Sequence, residues 1–428
     1  MRRVLMCLAI LLFITTARAA DEAAVYVRAG KLLDVRSGKM LSDQVIVIRG
    51  DKIESVSPAT QVKIPSGAKV IDLSSATVLP GLIDAHDHLT GDPTKHGYRA
   101  LGISLPRETL YGAKNARTTL NAGFTTIRNV GAAGYSDVAL RDAINDGDLP
   151  GPRMLVSGPP LGITGGHCDN NLLPAEFHYQ AQGVANGPWA AREKVRENIK
   201  YGADLIKICA SGGVLSKGDQ PGTQQYTLEE MKAIVDEAHR LGRKVAAHSH
   251  GTEAIKAAIE AGVDSIEHAS LVDEEGIRLA KEHGTFFVMD IYNDDYILGQ
   301  GAAAGMLPES IEKERKLGRL QRENFEKANK AGVRMAFGTD GGVYPHGDNA
   351  KQFPYMVKFG MTPLQAIQAA TTTAAELLGW ADRVGAIEPG KFGDLIAVDG
   401  DPLSDVTLLE NVKFVMKGGQ VVRNEFAH

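Results

Sequence analysis

Gly81-Leu-Ile-Asp-Ala-His-Asp-His88 is the stretch that decides the fold of this chain. Two histidines, His86 and His88, close an apolar run from Val78 to Ile83 that reads as a buried β-strand. Residues i and i+2 of a strand point the same way, so one element aims two imidazoles at one point. Neutral imidazole is the commonest metal ligand in proteins, and a strand end at the mouth of a barrel is where catalytic ligands gather. Two surface histidines would give the same H-x-H pattern, so its weight comes from the rest of the sequence.

Downstream, apolar strands alternate with amphipathic helical stretches. TLEEMKAIVDEAHRLG runs into KVAAHSH, and TEAIKAAIEAG runs into VDSIEHAS. Such alternation over about 300 residues predicts an α/β chain with a parallel sheet, most simply a (β/α)8 TIM-type barrel over 80–388. The flanks have a different texture. AAVYVRAGKLLDV, QVIVIRGDKIESV and AKVIDLSS precede the barrel, and DLIAVDGDP and VKFVMKGGQVVRN follow it, all short strands separated by Gly, Asp or Ser turns. The expectation is a small β-sandwich domain built from both chain ends, 20–79 plus 389–428.

Residues 1–19 read as a signal peptide. Arg2-Arg3 form the charged region, Val4 to Ile14 the apolar core, and Ala17-Arg18-Ala19 a small-x-small site cleaved near Ala19/Ala20. The apolar run is too short for a permanent membrane anchor, so the expected location is periplasmic or secreted. The net charge of −5 leaves no basic footprint and argues against a nucleic-acid partner. The expected partner is a small molecule, and a homo-oligomer is compatible with the sequence. Of the three cysteines, Cys7 lies in the leader; Cys168 and Cys209 cannot by themselves staple a domain this large, and their redox state is left open.

Five positions sit at or near expected strand ends: the His86/His88 pair itself, Lys207 in DLIKICASGG, His248 in KVAAHSHG, His268 in VDSIEHAS and Asp340 in AFGTDGG. Each has an ordinary structural explanation: a hydrogen-bonded histidine, a paired buried lysine, an Asp-Gly turn. All of them falling on one face, where such barrels carry out chemistry, is the signal.

With these motifs in place, the chain resembles the amidohydrolase superfamily from about residue 24 to the C-terminus. The resemblance rests on PGLIDAHDH, DLIKICASGG, AAHSHG, SIEHAS, GTDGGVYPHG and RVGAIEPGKFGDLIAVDGDPL. It is similar to the Xaa-Pro dipeptidase-like and imidazolonepropionase-like group, which includes ochratoxin-hydrolysing carboxypeptidase-type amidohydrolases. The resemblance implies two zinc ions, or other divalent metals, bridged by N-carboxylated Lys207 and a hydroxide. His86 and His88 would hold the more buried ion, His248 and His268 the more exposed one, and Asp340 would ligate and shuttle the proton. It further implies that Tyr226, His167, His250 and His346 bind substrate, Tyr226 gripping a terminal carboxylate. Asn129 in TTIRNVG stands where an acid is usual, which puts a local salt bridge of Arg128 in doubt.

The expected activity is hydrolysis of an amide to release a C-terminal amino acid from a dipeptide or N-acyl amino acid, ochratoxin A included. Cyclic-amide opening and deamination compete on the same fold, but members with those activities generally use one metal and lack the bridging lysine. A non-catalytic scaffold would have no use for all six expected ligands.

Overall fold

The computed structural model describes residues 23–426; the expected leader at 1–19 lies outside them. Four strands open the chain: β1 (Val25–Asp34), β2 (Lys39–Arg49), β3 (Lys52–Pro58) and β4 (Lys69–Pro80). Seven short parallel strands follow: β5 (Leu82–Asp87), β6 (Phe124–Asn129), β7 (Arg153–Val156), β8 (Leu205–Cys209), β9 (Lys244–Ser249), β10 (Ser265–His268) and β11 (Phe286–Val288). Three more, β12 (Leu395–Val398), β13 (Phe414–Lys417) and β14 (Gln420–Asn424), end it.

The strands β5 to β11 form the wall of a parallel α/β barrel. β5-β6-β7 and β8-β9-β10-β11 are its two regular arcs. Single parallel bridges join the arcs, Leu161 to Ile208 on one side and, on the other, Phe287 to Met335 and Asp87 to Gly341. The segment around 334–341 therefore serves as the eighth stave, accepting from Phe287 N through Arg334 O and from Ala85 N through Phe337 O. The staves are apolar because parallel strands are covered on both faces; β8 reads Leu-Ile-Lys-Ile-Cys and is buried throughout. A polar residue in such a stave has to be there for a reason, and Lys207 is one.

The apolar run from Val78 to Ile83, expected as one strand, is divided between two sheets. Val78 and Leu79 belong to β4, and β5 begins at Leu82. Pro80 has no N–H to continue a ladder, so the chain changes sheets at Pro80-Gly81. β4 lies at the centre of a seven-stranded sheet in the order β14-β13-β12-β4-β1-β2-β3, parallel to β1 and antiparallel to β12. Val27, Ile46, Leu73, Val78, Leu395 and Phe414 make its core. The sheet is fastened to the barrel by Arg153 of β7, whose guanidinium pairs with Asp394 at 2.8 Å and lies 3.4 Å over the Phe392 ring. Among the described residues no helix is long and apolar enough to cross a membrane.

Candidate metal centre and active site

At the carboxyl ends of the staves lies a cavity of about 950 Å³. Its floor carries His86, His88, Lys207, His248, His268 and Asp340; His167 and His250 line it as well. Ile103, Leu105, Leu173, Val214 and Ile297 make much of its wall.

The two strand-borne imidazoles converge as their spacing requires. His86 Nε2 and His88 Nε2 lie 3.4 and 3.3 Å from the same Asp340 Oδ1. Ligands held about 2.0–2.1 Å from one ion at tetrahedral angles stand about 3.3 Å from each other, so this trio has the spacing of a metal site. A second group, His248, His250 and His268, has its ligand atoms within 4.8 Å of one another, and a third joins His268 and Asp340 through Asp290. The ring of His268 is oriented from behind by Asp290, 2.7 Å from its Nδ1. Orienting contacts of this kind also fix which ring nitrogen faces the cavity.

Backbone conformation is distorted at this floor. His268, Ala269 and Asp340 have φ of 70°, 50° and 55°, the left-handed region that non-glycine residues avoid. Such conformations persist only where surrounding structure enforces them, and they concentrate at functional sites. Space is equally tight. A Cβ on Gly338 would stand 2.2 Å from Val288 Cγ1 and 2.9 Å from His86 Cβ, so only glycine lets the last stave pass His86.

Charge states follow from burial. The Lys207 ammonium is pushed down to about 8, chiefly by burial and further by Arg128, against the pull of Glu267 and Asp340. His248 and His250 are held well below the usual histidine range by burial and by their histidine neighbours, so they are neutral, as metal ligands must be. Burial would raise the Asp340 carboxyl, but His86 and His88 overcome it and keep the group ionised. Behind the floor, Glu267 is wholly buried. Its Oε1 accepts from Arg128 Nη2 at 2.8 Å and from Ser265 Oγ at 2.5 Å, while its Oε2 lies 2.9 Å from His86 Nδ1 without hydrogen-bond alignment. That answers the doubt over Arg128. Its ionic partner is Glu267 of β10, and Asn129 instead organises the loop after β5 by accepting from Leu89 N at 2.7 Å.

Two expected substrate contacts are corrected. Tyr226 is fully buried in the barrel core, does not line the cavity, and donates its hydroxyl to Ala185 O at 3.1 Å. Thr227 caps the helix Leu228–Arg240 in a capping box with Glu230, and Tyr226 precedes that cap while Met231 follows on its first turn. Both are buried in one cluster, which makes Tyr226 a hydrophobic staple. His346 is likewise away from the cavity, behind the site with Nδ1 3.3 Å from Asp87 Oδ1. The other two, His167 and His250, line the cavity. His167 stacks on His248 at 3.9 Å and 11°, with Nδ1 2.8 Å from Ser216 Oγ, and His250 stacks on His268 at 4.6 Å. A Cβ on Gly213 would fall 2.1 Å from the His167 ring, so that glycine keeps the stacking position open.

Two features escaped the sequence. Cys168 and Cys209 form a disulfide, tying the loop that carries His167 to the strand that carries Lys207. Asp290 follows β11, a strand of only three residues and too short to announce a strand-end ligand.

Residues 77–422 match the amidohydrolase family. The chain belongs to that family. Among amidohydrolase relatives, the ochratoxinase of Aspergillus niger is 35% identical over 433 residues, spanning 95% of this chain and 88% of that protein. The crystal structure of a Xaa-Pro dipeptidase with methionine bound in its active site superposes with a TM-score of 0.88 at 39% identity, covering 93% of this chain and 99% of the other. A prolidase complexed with N-methylphosphonate-L-proline gives 0.86 at 33%, covering 94% and 100%. This amidohydrolase is accordingly a hydrolase acting on amide bonds.

Proposed function

We propose that the protein is an exported, binuclear amidohydrolase that releases a C-terminal amino acid from dipeptides or N-acyl amino acids, ochratoxin A among them. The observation that carries this reading is the convergence of two imidazoles and a carboxylate at 3.3–3.4 Å, beside a second cluster of histidines and a buried lysine. The donor set fits two zinc-like cations: imidazole nitrogens, an ionised carboxylate and a lysine whose burial favours the neutral amine. His86, His88 and Asp340 would hold one, and His248 and His268 the other. Carbon dioxide adding to the neutral Lys207 amine, with loss of one proton, would turn it into an anionic oxygen donor that could help hold the pair. The pair, when bound, acidifies water and polarises the scissile carbonyl.

The chain's own groups do the rest. Asp340 takes a proton from the attacking water and returns it to the leaving amine. Asp290 fixes the His268 ring, and Glu267 with Arg128 fixes the region behind His86. The apolar walls exclude water and accept hydrophobic substrate groups. With Tyr226 and His346 turned elsewhere, His167 and His250 are the donors left to hold a free carboxylate.

Two related structures add support, since one holds a free amino acid and the other an N-phosphonyl amino acid. A library of dipeptides and N-acyl amino acids, each as free acid and as C-terminal amide, tests the reading with zinc-loaded protein. Hydrolysis confined to the free acids, with close to two ions per chain by elemental analysis, is expected. Equal cleavage of the amides would refute release of a C-terminal amino acid and favour a cyclic amide.

A further inference from the structure

One wall of the cavity is acidic. Asp290, Asp340 and Glu314 line it, and Asp294 lies near enough to act on Glu314 electrostatically. Three of these four carboxyls are already engaged. Asp340 stands between His86 and His88, Asp290 holds His268, Asn293 and Gln321, and Asp294 pairs with Arg322 at 2.9 Å. Arg322, which also acts on Glu314 electrostatically, is further committed to Asp295 and to Ile291 O.

Glu314 differs from the others. It is carried inward by the helix Pro308–Ala331 and is 4% exposed, yet no hydrogen bond or ion pair reaches its carboxyl among the described residues. Burial and its acidic neighbours push it up to about 8. A buried carboxyl with no partner is costly, and one facing a reaction cavity is most simply completed by what enters that cavity. A cation entering beside it gives this carboxyl the partner it lacks and lets it release its proton.

We propose that Glu314 binds the free α-ammonium group of a dipeptide substrate. The inference rests on the amide-hydrolase reading above and deepens it. A dipeptide's ammonium is two bonds from the scissile carbonyl carbon, so its partner must share a wall with Asp340, as Glu314 does. An N-acyl amino acid brings no cation to that position. Glu314 therefore sorts the two substrate classes that the family relationship leaves together, and it favours dipeptides.

The experiment compares Ala-Phe with propionyl-Phe, which differ only by replacement of the ammonium with hydrogen, using the metal-loaded full chain. Wild type is expected to favour Ala-Phe in kcat/KM. Glu314→Gln should lose about 10- to 100-fold on Ala-Phe, the scale of a charged hydrogen bond, and nothing on propionyl-Phe, whose retained turnover reports an intact fold and metal site. Glu314→Asp, which keeps the charge on a shorter arm, should keep part of the preference. Wild type cleaving the two equally would overturn the proposal without recourse to any variant, and so would an equal loss on both in Glu314→Gln. Cleavage of neither by wild type would instead sink the underlying reading and this inference with it.

Discussion

Replacing Glu267 by glutamine tests the electrostatics of the barrel interior. Glu267 is fully buried and Arg128 is 2% exposed, with Nη2 and Oε1 2.8 Å apart. At that distance two charges attract by about 6 kcal/mol for an effective dielectric of ~20. Glutamine keeps the shape and an acceptor oxygen but leaves the guanidinium buried without a counter-charge, so the expected loss is about 3–5 kcal/mol. At roughly 2.1 cal/mol/K per residue, that is a fall in Tm of about 4–6 °C for a chain of this size. The measurement is thermal and urea denaturation of metal-depleted protein in excess chelator, because bound ions would stabilise the folded state by mass action. Replacing both partners, Arg128→Met with Glu267→Leu, should recover most of the loss, since apolar groups of similar volume carry no desolvation penalty. The pH dependence has a fixed sign. Although burial works to raise it, Arg128 and His86 hold the Glu267 carboxyl below the usual glutamate range, so its contribution is complete above that range and fades as pH falls. A loss under about 1 kcal/mol, or a double variant no better than the single one, would refute the reasoning.

Three further outcomes are expected. Lys207→Ala should fall to well under two ions per chain by elemental analysis and lose nearly all turnover, with partial rescue by small carboxylates; Lys207→Arg should resist rescue, because arginine stays charged and cannot be carboxylated. Asp340→Asn keeps an oxygen ligand but loses the base, so kcat should drop by at least about 10²-fold, and a variant with full metal content and unchanged kcat would move the proton to another group. Tyr226→Phe should cost about 1 kcal/mol of stability for its hydrogen bond to Ala185 O and affect free-acid and amidated substrates alike.

Much of this site was legible because strand geometry is legible. The i, i+2 spacing of His86 and His88 predicts convergence without any tertiary knowledge, and Lys207 announces itself as a charge inside an apolar stave. Other residues could not be read this way, for identifiable reasons. Glu314 sits on a helix rich in charged residues, where one inward-facing acid looks like any other on a solvated face. Glu267 adjoins His268 in SIEHAS, and its partner Arg128 is far off in sequence, so the pair exists only once the barrel closes. Tyr226 was misplaced although a signal was present: Y-T-L-E-E-M contains a capping box with apolar residues on both sides, which marks a buried staple better than an exposed loop. The split of Val78–Ile83 at Pro80-Gly81 was also written in the sequence, since a proline inside an apolar run argues against one continuous inner strand.

The seven-stranded sheet bears on how the chain acquires its structure during synthesis. β4 pairs with β1 on one side and with β12 on the other, and β12 to β14 lie within the last 34 residues of the 428. Until those strands leave the ribosome, β4 presents an unsatisfied apolar edge and Arg153 lacks Asp394. Closure of such distant pairings is slow, because the entropy of a very long loop must be overcome before any contact compensates it. Synthesis of β12 thus acts as a completion signal. A message truncated shortly before Leu395 would yield a chain with every barrel stave and every expected metal ligand, yet with an open strand edge that invites aggregation and marks the product for proteolysis.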